Sequence, residues 1–167
     1  MYKGYLQEGM TEEQALEKLN VESREHARTP MQWNSRENAG FTTGTPWFAV
    51  NPNYKEINFE AAKNQEESLY HWYKKMIALR KADDYRDLFI YGDLIPAYEK
   101  TDGVIAYKRS NQDRSVLIVC NVKGTSEKLP FEGRVKKVLL SNYDNVNIGN
   151  RELSLREYET IIMETEK

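Results

Sequence analysis

The chain has one cysteine, Cys120, in 167 residues. A lone cysteine closes no internal disulfide, so covalent staples are excluded and the usage fits a reducing compartment. Cys120 ends the apolar run Val116-Leu-Ile-Val-Cys120, where it reads as a small buried hydrophobe. No segment approaches the ~20 apolar residues of a membrane helix. Met1-Tyr-Lys-Gly-Tyr5 has no apolar run of signal-peptide length. The expectation is therefore a cytoplasmic protein without a membrane partner. Long basic blocks are missing as well: Lys74-Lys75 and Lys136-Lys137 are the longest, and the formal net charge is −2. A nucleic-acid partner would need a clustered basic face, which is not visible. His26 and His71 have no companion ligands, so no metal is expected, and Gly40 to Gly44 lacks the Lys-Ser/Thr of a phosphate loop. Nothing calls for a cofactor.

Apolar residues make up 40% of the chain and charged residues 30%, a globular composition. The length suggests about one domain as a prior. It is enough to bury about two-thirds of the surface the unfolded chain exposes.

Helical signals dominate the first half. Thr11-Glu-Glu-Gln14 reads as a capping box opening a short helix to about Leu19, with a separate helical turn before it ending near Gly9. Asn64-Gln-Glu-Glu67 reads as a second N-cap, opening a helix over about 65–82. There Leu69, Trp72, Tyr73, Met76 and Ile77 form one wide apolar face. Between Asn20 and Glu60 no period holds. Such a stretch exceeds ordinary loop lengths, and loops of that kind are functional or disordered. Trp33, Phe41, Trp47, Phe48, Tyr54 and Phe59 are too many large apolar groups for a solvated tail, so a structured loop is expected.

After Asp84 the period switches. Leu88–Tyr91, Leu94–Glu99, Val104–Arg109, Ser115–Asn121, Val135–Ser141, Glu152–Leu155 and Glu159–Met163 read as short strands. Turn signals separate them at Asp102-Gly103, Asn111 to Asp113, Lys123-Gly124, Glu132-Gly133 and Gly149-Asn150. That spacing argues an antiparallel sandwich. The fold class is thus α+β by segment: N-terminal helices and a long structured loop over 1–85, then an all-β antiparallel sandwich over 86–167.

The densest chemistry lies in Ser23-Arg-Glu-His-Ala-Arg-Thr-Pro-Met-Gln-Trp33. Pro30 disfavours a helical conformation at Thr29, so any helix ends by Arg28. An arginine beside a rigid Thr-Pro turn is placed to fork onto a carboxylate or sugar hydroxyls. An arginine that merely ties the loop to a neighbouring carboxylate is the other reading, and on chemistry alone the commoner one.

The same segment resembles the Ser-Arg-Asp-Asn-Ala-Arg-Thr-Pro-Met-Gln-Trp signature of α-glucosidases of the α-amylase superfamily, the oligo-1,6-glucosidase type. Asn38-Ala-Gly-Phe-Thr-Thr-Gly-Thr-Pro-Trp47 and Val50-Asn-Pro-Asn-Tyr-Lys-Glu-Ile-Asn58 resemble that family's next two signatures, in order. Ser68 to Lys81 resembles its last barrel helix, and the β-rich remainder more loosely its C-terminal domain. Glu25, His26 and Asn34 depart from the usual Asp, Asn and Asp, and Glu157 stands where a proline is common.

The resemblance implies that residues 1–85 are the end of a (β/α)8 barrel and 86–167 its C-terminal sandwich. It implies Arg28 as substrate-binding at the non-reducing-end glucose. Arg24, Trp33, Phe41 and Trp47 would be loop or substrate-proximal residues, Arg24 more structural and the aromatics as much packing as sugar contact. The implied activity is retaining hydrolysis of α-1,6-linked or related gluco-oligosaccharides. Its two carboxyls, and a third aspartate in an Asn-His-Asp motif, match nothing in this chain and are expected ahead of Met1. The chain alone is therefore expected to be inactive, its partners being a gluco-oligosaccharide and the missing catalytic barrel. Two alternatives stand beside this: a carbohydrate-binding module, or a purely structural sandwich. The Trp72-bearing face, lacking its barrel, would fold back on the sandwich or bury itself in a second copy.

Overall fold

The computed structural model describes residues 1–149 and 151–166, the side chain of His26 excepted. Asn150, half of one turn signal, and the His26 imidazole lie outside the described residues. The chain forms two compact units, Met1–Ser68 and Leu69–Lys167.

In the first unit, α1 (Tyr2–Gln7) and α2 (Glu12–Glu22) form a helical pair. Gly9, at φ 86°, makes the left-handed turn after α1. The capping box is present: Thr11 Oγ1 accepts from the Gln14 N–H at 3.2 Å, and Gln14 Oε1 accepts from the Thr11 N–H at 3.0 Å. Tyr5, buried in α1, donates its hydroxyl to Glu22 at 2.7 Å, tying the two helices together. The chain then runs through three 3₁₀ turns, Glu25–Ala27, Glu37–Gly40 and Pro52–Lys55, into α3 (Phe59–Asn64).

Asn64 closes a helix and opens none. The cap is Asn58, whose Oδ1 accepts from the Ala61 N–H at 2.9 Å while its amide donates to the Tyr54 carbonyl at 3.0 Å. The next helix, α4 (Leu69–Lys81), begins four residues later than an Asn64 cap would give, at the first residue of its apolar face. Ala82 then breaks the helical course, and α5 (Asp83–Tyr91) follows.

Helix α5 corrects the strand expected at Leu88–Tyr91. Those residues are aromatic and β-branched, but Tyr85, Leu88 and Phe89 recur at helical spacing and pack against one cluster. Asp83 and Asp84 sit in the first turn, where carboxylates suit the helix dipole. Tertiary packing overrides β-propensity here.

The remainder is all-β: β1 (Asp93–Ala97), β2 (Val104–Ser110), β3 (Ser115–Asn121), β4 (Glu127–Pro130), β5 (Val135–Ser141), β6 (Asn147–Ile148), β7 (Glu152–Leu155) and β8 (Thr160–Thr165). They form a five-stranded sheet, β1-β2-β3-β8-β5, and a three-stranded sheet, β4-β7-β6, with antiparallel pairing throughout. Pro96 stands in β1, an edge strand that can spare its N–H.

The core lies between the sheets. Leu117, Val119, Ile161 and Met163 from the large sheet meet Leu129, Leu153 and Leu155 from the small one. The alternate residues Val116, Ile118 and Ile162 point the other way and pack under Tyr85 and Leu88 of α5. Strands β3 and β8 are therefore covered on both faces, which is why Val116–Val119 is uninterruptedly apolar. Strands β4 and β6 gave no sequence signal: β4 offers one buried apolar side chain, Leu129, between Lys128 and Pro130, and β6 is two residues long.

Candidate functional site

The segment carrying the arginines and aromatics belongs wholly to the first unit. Its shape comes from amide side chains. Ser23 Oγ accepts from the Glu25 N–H at 3.2 Å and starts the turn Glu25–Ala27. Arg28 follows as the C-cap of that turn, at φ −115°, ψ 5°, outside the helical region. Pro30 is buried and anchors the turn.

Gln32 then acts as a hub. Its amide donates to Asn53 Oδ1 at 3.0 Å and to the Ile57 carbonyl, while its own carbonyl accepts from the Phe59 N–H at 2.8 Å. The Trp33 carbonyl accepts from the Glu60 N–H at 3.0 Å, and the Trp33 ring meets Phe59 edge-on at 5.7 Å. The segment Gln32-Trp33 is thereby laid along the start of α3.

The second signature folds back on the first. The Trp33 and Asn34 N–H groups both donate to the Ala39 carbonyl, at 2.9 and 3.1 Å. To present that carbonyl the backbone turns left-handed over three residues, Asn38 (φ 49°), Ala39 (φ 56°) and Gly40 (φ 66°). An Asn and a Gly tolerate this region, whereas Ala39 pays strain for it. The Asn38 amide holds the loop by donating to the carbonyls of Thr42 and Gly44, at 3.3 and 3.0 Å. Phe41 lies at the end of this turn, half exposed. Trp47 stacks on Phe48 at 4.7 Å and is 87% exposed.

Arg28 lies 3.9 Å from Glu25, a local pair with both side chains about half exposed. A surface pair of that length is worth at most about 1 kcal/mol, so the guanidinium remains available to a stronger acceptor. Arg24 is exposed beside it. Trp33, Phe41 and Trp47 all keep exposed ring surface, although Trp33 also packs on Phe59. The sequence reading passed over Gln32, Asn38 and Asn58, the residues that shape this loop. The Gln32 bonds are long-range, those of Asn38 and Asn58 are local turn and cap bonds, and none of them leaves a periodic trace.

Among the described residues no group of three or more His, Cys, Asp and Glu could hold a metal ion. The neighbouring acids sit at helix starts or on the surface: Glu12-Glu13 and Asp83-Asp84 lie in first turns, and Glu66-Glu67 is exposed. The two buried ones, Glu159 and Glu164, are bound to Arg156 and Arg114 inside the second unit. Among the described residues no helix is long and apolar enough to cross a membrane.

The chain is similar to known proteins along nearly its whole length. The chain is 39% identical over 168 residues to an oligo-1,6-glucosidase of Parageobacillus thermoglucosidasius, covering 95% of the chain and 29% of that protein. It is 39% identical over 137 residues to a glucan 1,6-alpha-glucosidase of Streptococcus pneumoniae, covering 82% and 25%. A crystal structure of the Bacillus licheniformis trehalose-6-phosphate hydrolase superposes with a TM-score of 0.87 at 36% identity, covering all of this chain and 31% of that one. The chain therefore spans under a third of the length of these relatives. Residues 104–162 match the model of the alpha-amylase SusG C-terminal domain. Residues 2–88, which contain the whole hydrogen-bonded loop around Gln32 and Arg28, match that of the alpha amylase catalytic domain, and the chain belongs to the α-amylase family.

Proposed function

We propose that this chain supplies one wall of the sugar site of a retaining α-glucosidase acting on α-1,6-linked gluco-oligosaccharides, and that it has no hydrolytic activity by itself. The observation that carries the reading is the amide-braced loop from Ser23 to Asn58. It presents Arg28 without a strong internal partner, within a segment that matches a catalytic-domain family. The named activities of the relatives support the substrate class.

Retaining hydrolysis needs two carboxyl groups about 5–5.5 Å apart, one as nucleophile and one as acid/base, with water as the second acceptor. The acids of this chain serve as helix caps, surface charges and buried ion pairs, which supports placing both catalytic groups outside these residues. In the assembled site Arg28 would donate a charged fork to a barrel carboxylate and a terminal sugar hydroxyl. Trp33, Phe41 and Trp47 would border the pocket mouth, and Arg24 would steady the turn. Residues 1–85 would be the last barrel elements and 86–167 the C-terminal domain, an assignment that the bounds of the two family matches support. The proposed compartment is the cytoplasm, on the strength of the single cysteine.

Incubation of the purified chain with isomaltose and a nitrophenyl α-glucoside tests the inactivity: no release of glucose or nitrophenol is expected, and steady turnover would overturn it. In a protein that also carries the rest of the barrel, Arg28→Gln should lower kcat/KM about tenfold to a hundredfold. That is the loss of ~1.5–3 kcal/mol expected for a hydrogen bond to a charged group. An unchanged kcat/KM would remove Arg28 from the site.

A further inference from the structure

The open end of the sandwich contains a groove of about 830 Å³, formed by second-unit residues only. Its size is that of a small-molecule site. Its chemistry is uneven. Lys108, Arg134 and Arg151 line it, and among the described residues none of the three pairs with a carboxylate within 4.0 Å. All three are exposed. Glu132 and Glu166 also reach the groove, so cations outnumber carboxylates there although the chain as a whole is acidic.

Thr165 lines the same groove, 4% exposed, and its hydroxyl is buried without a hydrogen-bond partner among the described residues. A buried hydroxyl without an acceptor costs about 1–3 kcal/mol, which is uncommon in a native fold unless something else completes it. Tyr98 walls the groove at φ 53°, a left-handed conformation costly for an aromatic residue, and is pinned by donating its hydroxyl to the Pro130 carbonyl at 2.8 Å. Strain of this kind collects at ligand clamps. The groove thus combines unpaired cations, an orphan hydroxyl and a strained wall.

We propose that the end of the sandwich binds a small phosphate monoester. The Arg134 and Arg151 forks and the Lys108 ammonium would hold the phosphoryl oxygens, and the Thr165 hydroxyl would donate to the same group. A phosphate monoester carries about −1.5 to −2 at pH 7, and its oxygens accept the paired N–H groups of an arginine fork. The groove is far larger than an inorganic phosphate, so room remains for the organic part of an ester. The site is independent of the α-glucosidase reading, because no residue of the Arg28 loop takes part.

The test is a backbone NMR titration of the whole chain with glucose 6-phosphate, inorganic phosphate and glucose in parallel. Glucose 6-phosphate should shift the Gly133, Arg134, Arg151 and Thr165 resonances saturably, and glucose should leave them in place. Saturation by inorganic phosphate at equal affinity supports the site with free phosphate as its occupant. The double variant Arg134→Gln/Arg151→Gln should bind at least about tenfold more weakly, as expected for lost charged forks, while Lys128→Gln, outside the groove, should bind as the parent does. Thr165→Val should weaken binding yet melt no lower than the parent in the absence of ligand, because it deletes an unsatisfied group. Failure of both phosphates to saturate, equal shifts from glucose, or unaltered binding by the double variant would overturn the proposal.

Discussion

Two buried carboxylates decide how single residues stabilise the second unit. Glu164 accepts from the Tyr85 hydroxyl at 2.8 Å and from Arg114 at 3.1 and 3.2 Å, with the guanidinium 5.1 Å from the Tyr85 ring centroid. Burial, and then the carboxylate beside it, push the Tyr85 hydroxyl above the usual phenol pKa, so it stays a donor across the working pH range. Tyr85→Phe keeps the packing and removes the donor, leaving a buried carboxylate one bond short. It should cost about 1–3 kcal/mol, read as a lower urea midpoint at unchanged m-value. A midpoint within error of the parent would mean that Arg114 and water satisfy Glu164 without it. Glu159 is fully buried. Burial alone would raise its pKa, but the Arg156 side chain at 2.8 and 3.0 Å and the Arg156 N–H at 2.7 Å outweigh that and hold it below the usual carboxylate value. A depressed folded pKa contributes stability above the unfolded value of about 4.3, and that contribution disappears as pH falls through the folded value. Glu159→Gln should therefore flatten the acid limb of a stability–pH curve below about pH 4 while lowering stability at neutral pH. Parallel curves for parent and variant would count against it. Neither role shows in the sequence, because Glu164 and Glu159 look like ordinary strand-end charges until β8 is known to be covered on both faces.

At the scale of elements, the junction of α5 and β1 depends on one glycine. Gly92 has an ordinary φ, but a Cβ there would meet the Leu88 carbonyl at 2.5 Å and the Ser110 carbonyl at 2.8 Å. Both obstacles are backbone and cannot swing away. Gly92→Ala should force α5 from the sheet edge and cost about 1–3 kcal/mol, the range of overpacking changes. A thermal midpoint equal to the parent's would show that the helix end yields freely. This junction was also the least legible part of the sequence, since Leu88 to Tyr91 carries β-formers on a helix. The capping box at Thr11 was readable because both partners lie within four residues. Strands β3, β5 and β7 were readable because each is bounded by turn residues and has enough apolar content. Asn64 was misread because Asn caps starts and closes ends equally well, and the deciding contact, Asn58 to Tyr54, depends on a neighbouring turn. In the candidate site the family signatures located Arg28 and the aromatics. They said nothing of Gln32, whose importance lies in three bonds to residues 21 to 27 positions away.

At the scale of the molecule, helix α4 raises a question of partners. Trp72, Met76 and Leu79 are partly covered, Leu79 by the cluster under α5. Leu69, Tyr73 and Ile77, one turn apart along the helix, remain 77%, 60% and 50% exposed. Of the face foreseen to need cover, Leu69, Tyr73 and Ile77 remain as a stripe of three large apolar groups in water. In a protein carrying the rest of the barrel, barrel residues would cover that stripe. In these 167 residues alone a second copy would be that cover, since a contiguous apolar patch on a monomer is a drive to associate. Two antiparallel α4 helices would bring Tyr73 near the axis and pair Leu69 with Ile77, a self-complementary arrangement of the twofold kind. Sedimentation equilibrium should therefore show a mass that rises with concentration. The triple change Leu69→Gln, Tyr73→Gln and Ile77→Gln should return it to the monomer value with circular dichroism unchanged, because none of the three is buried in the core. A parent chain that stays monomeric over the same range would show that the stripe is tolerated in water. Association that survives the triple change would move the interface to another face.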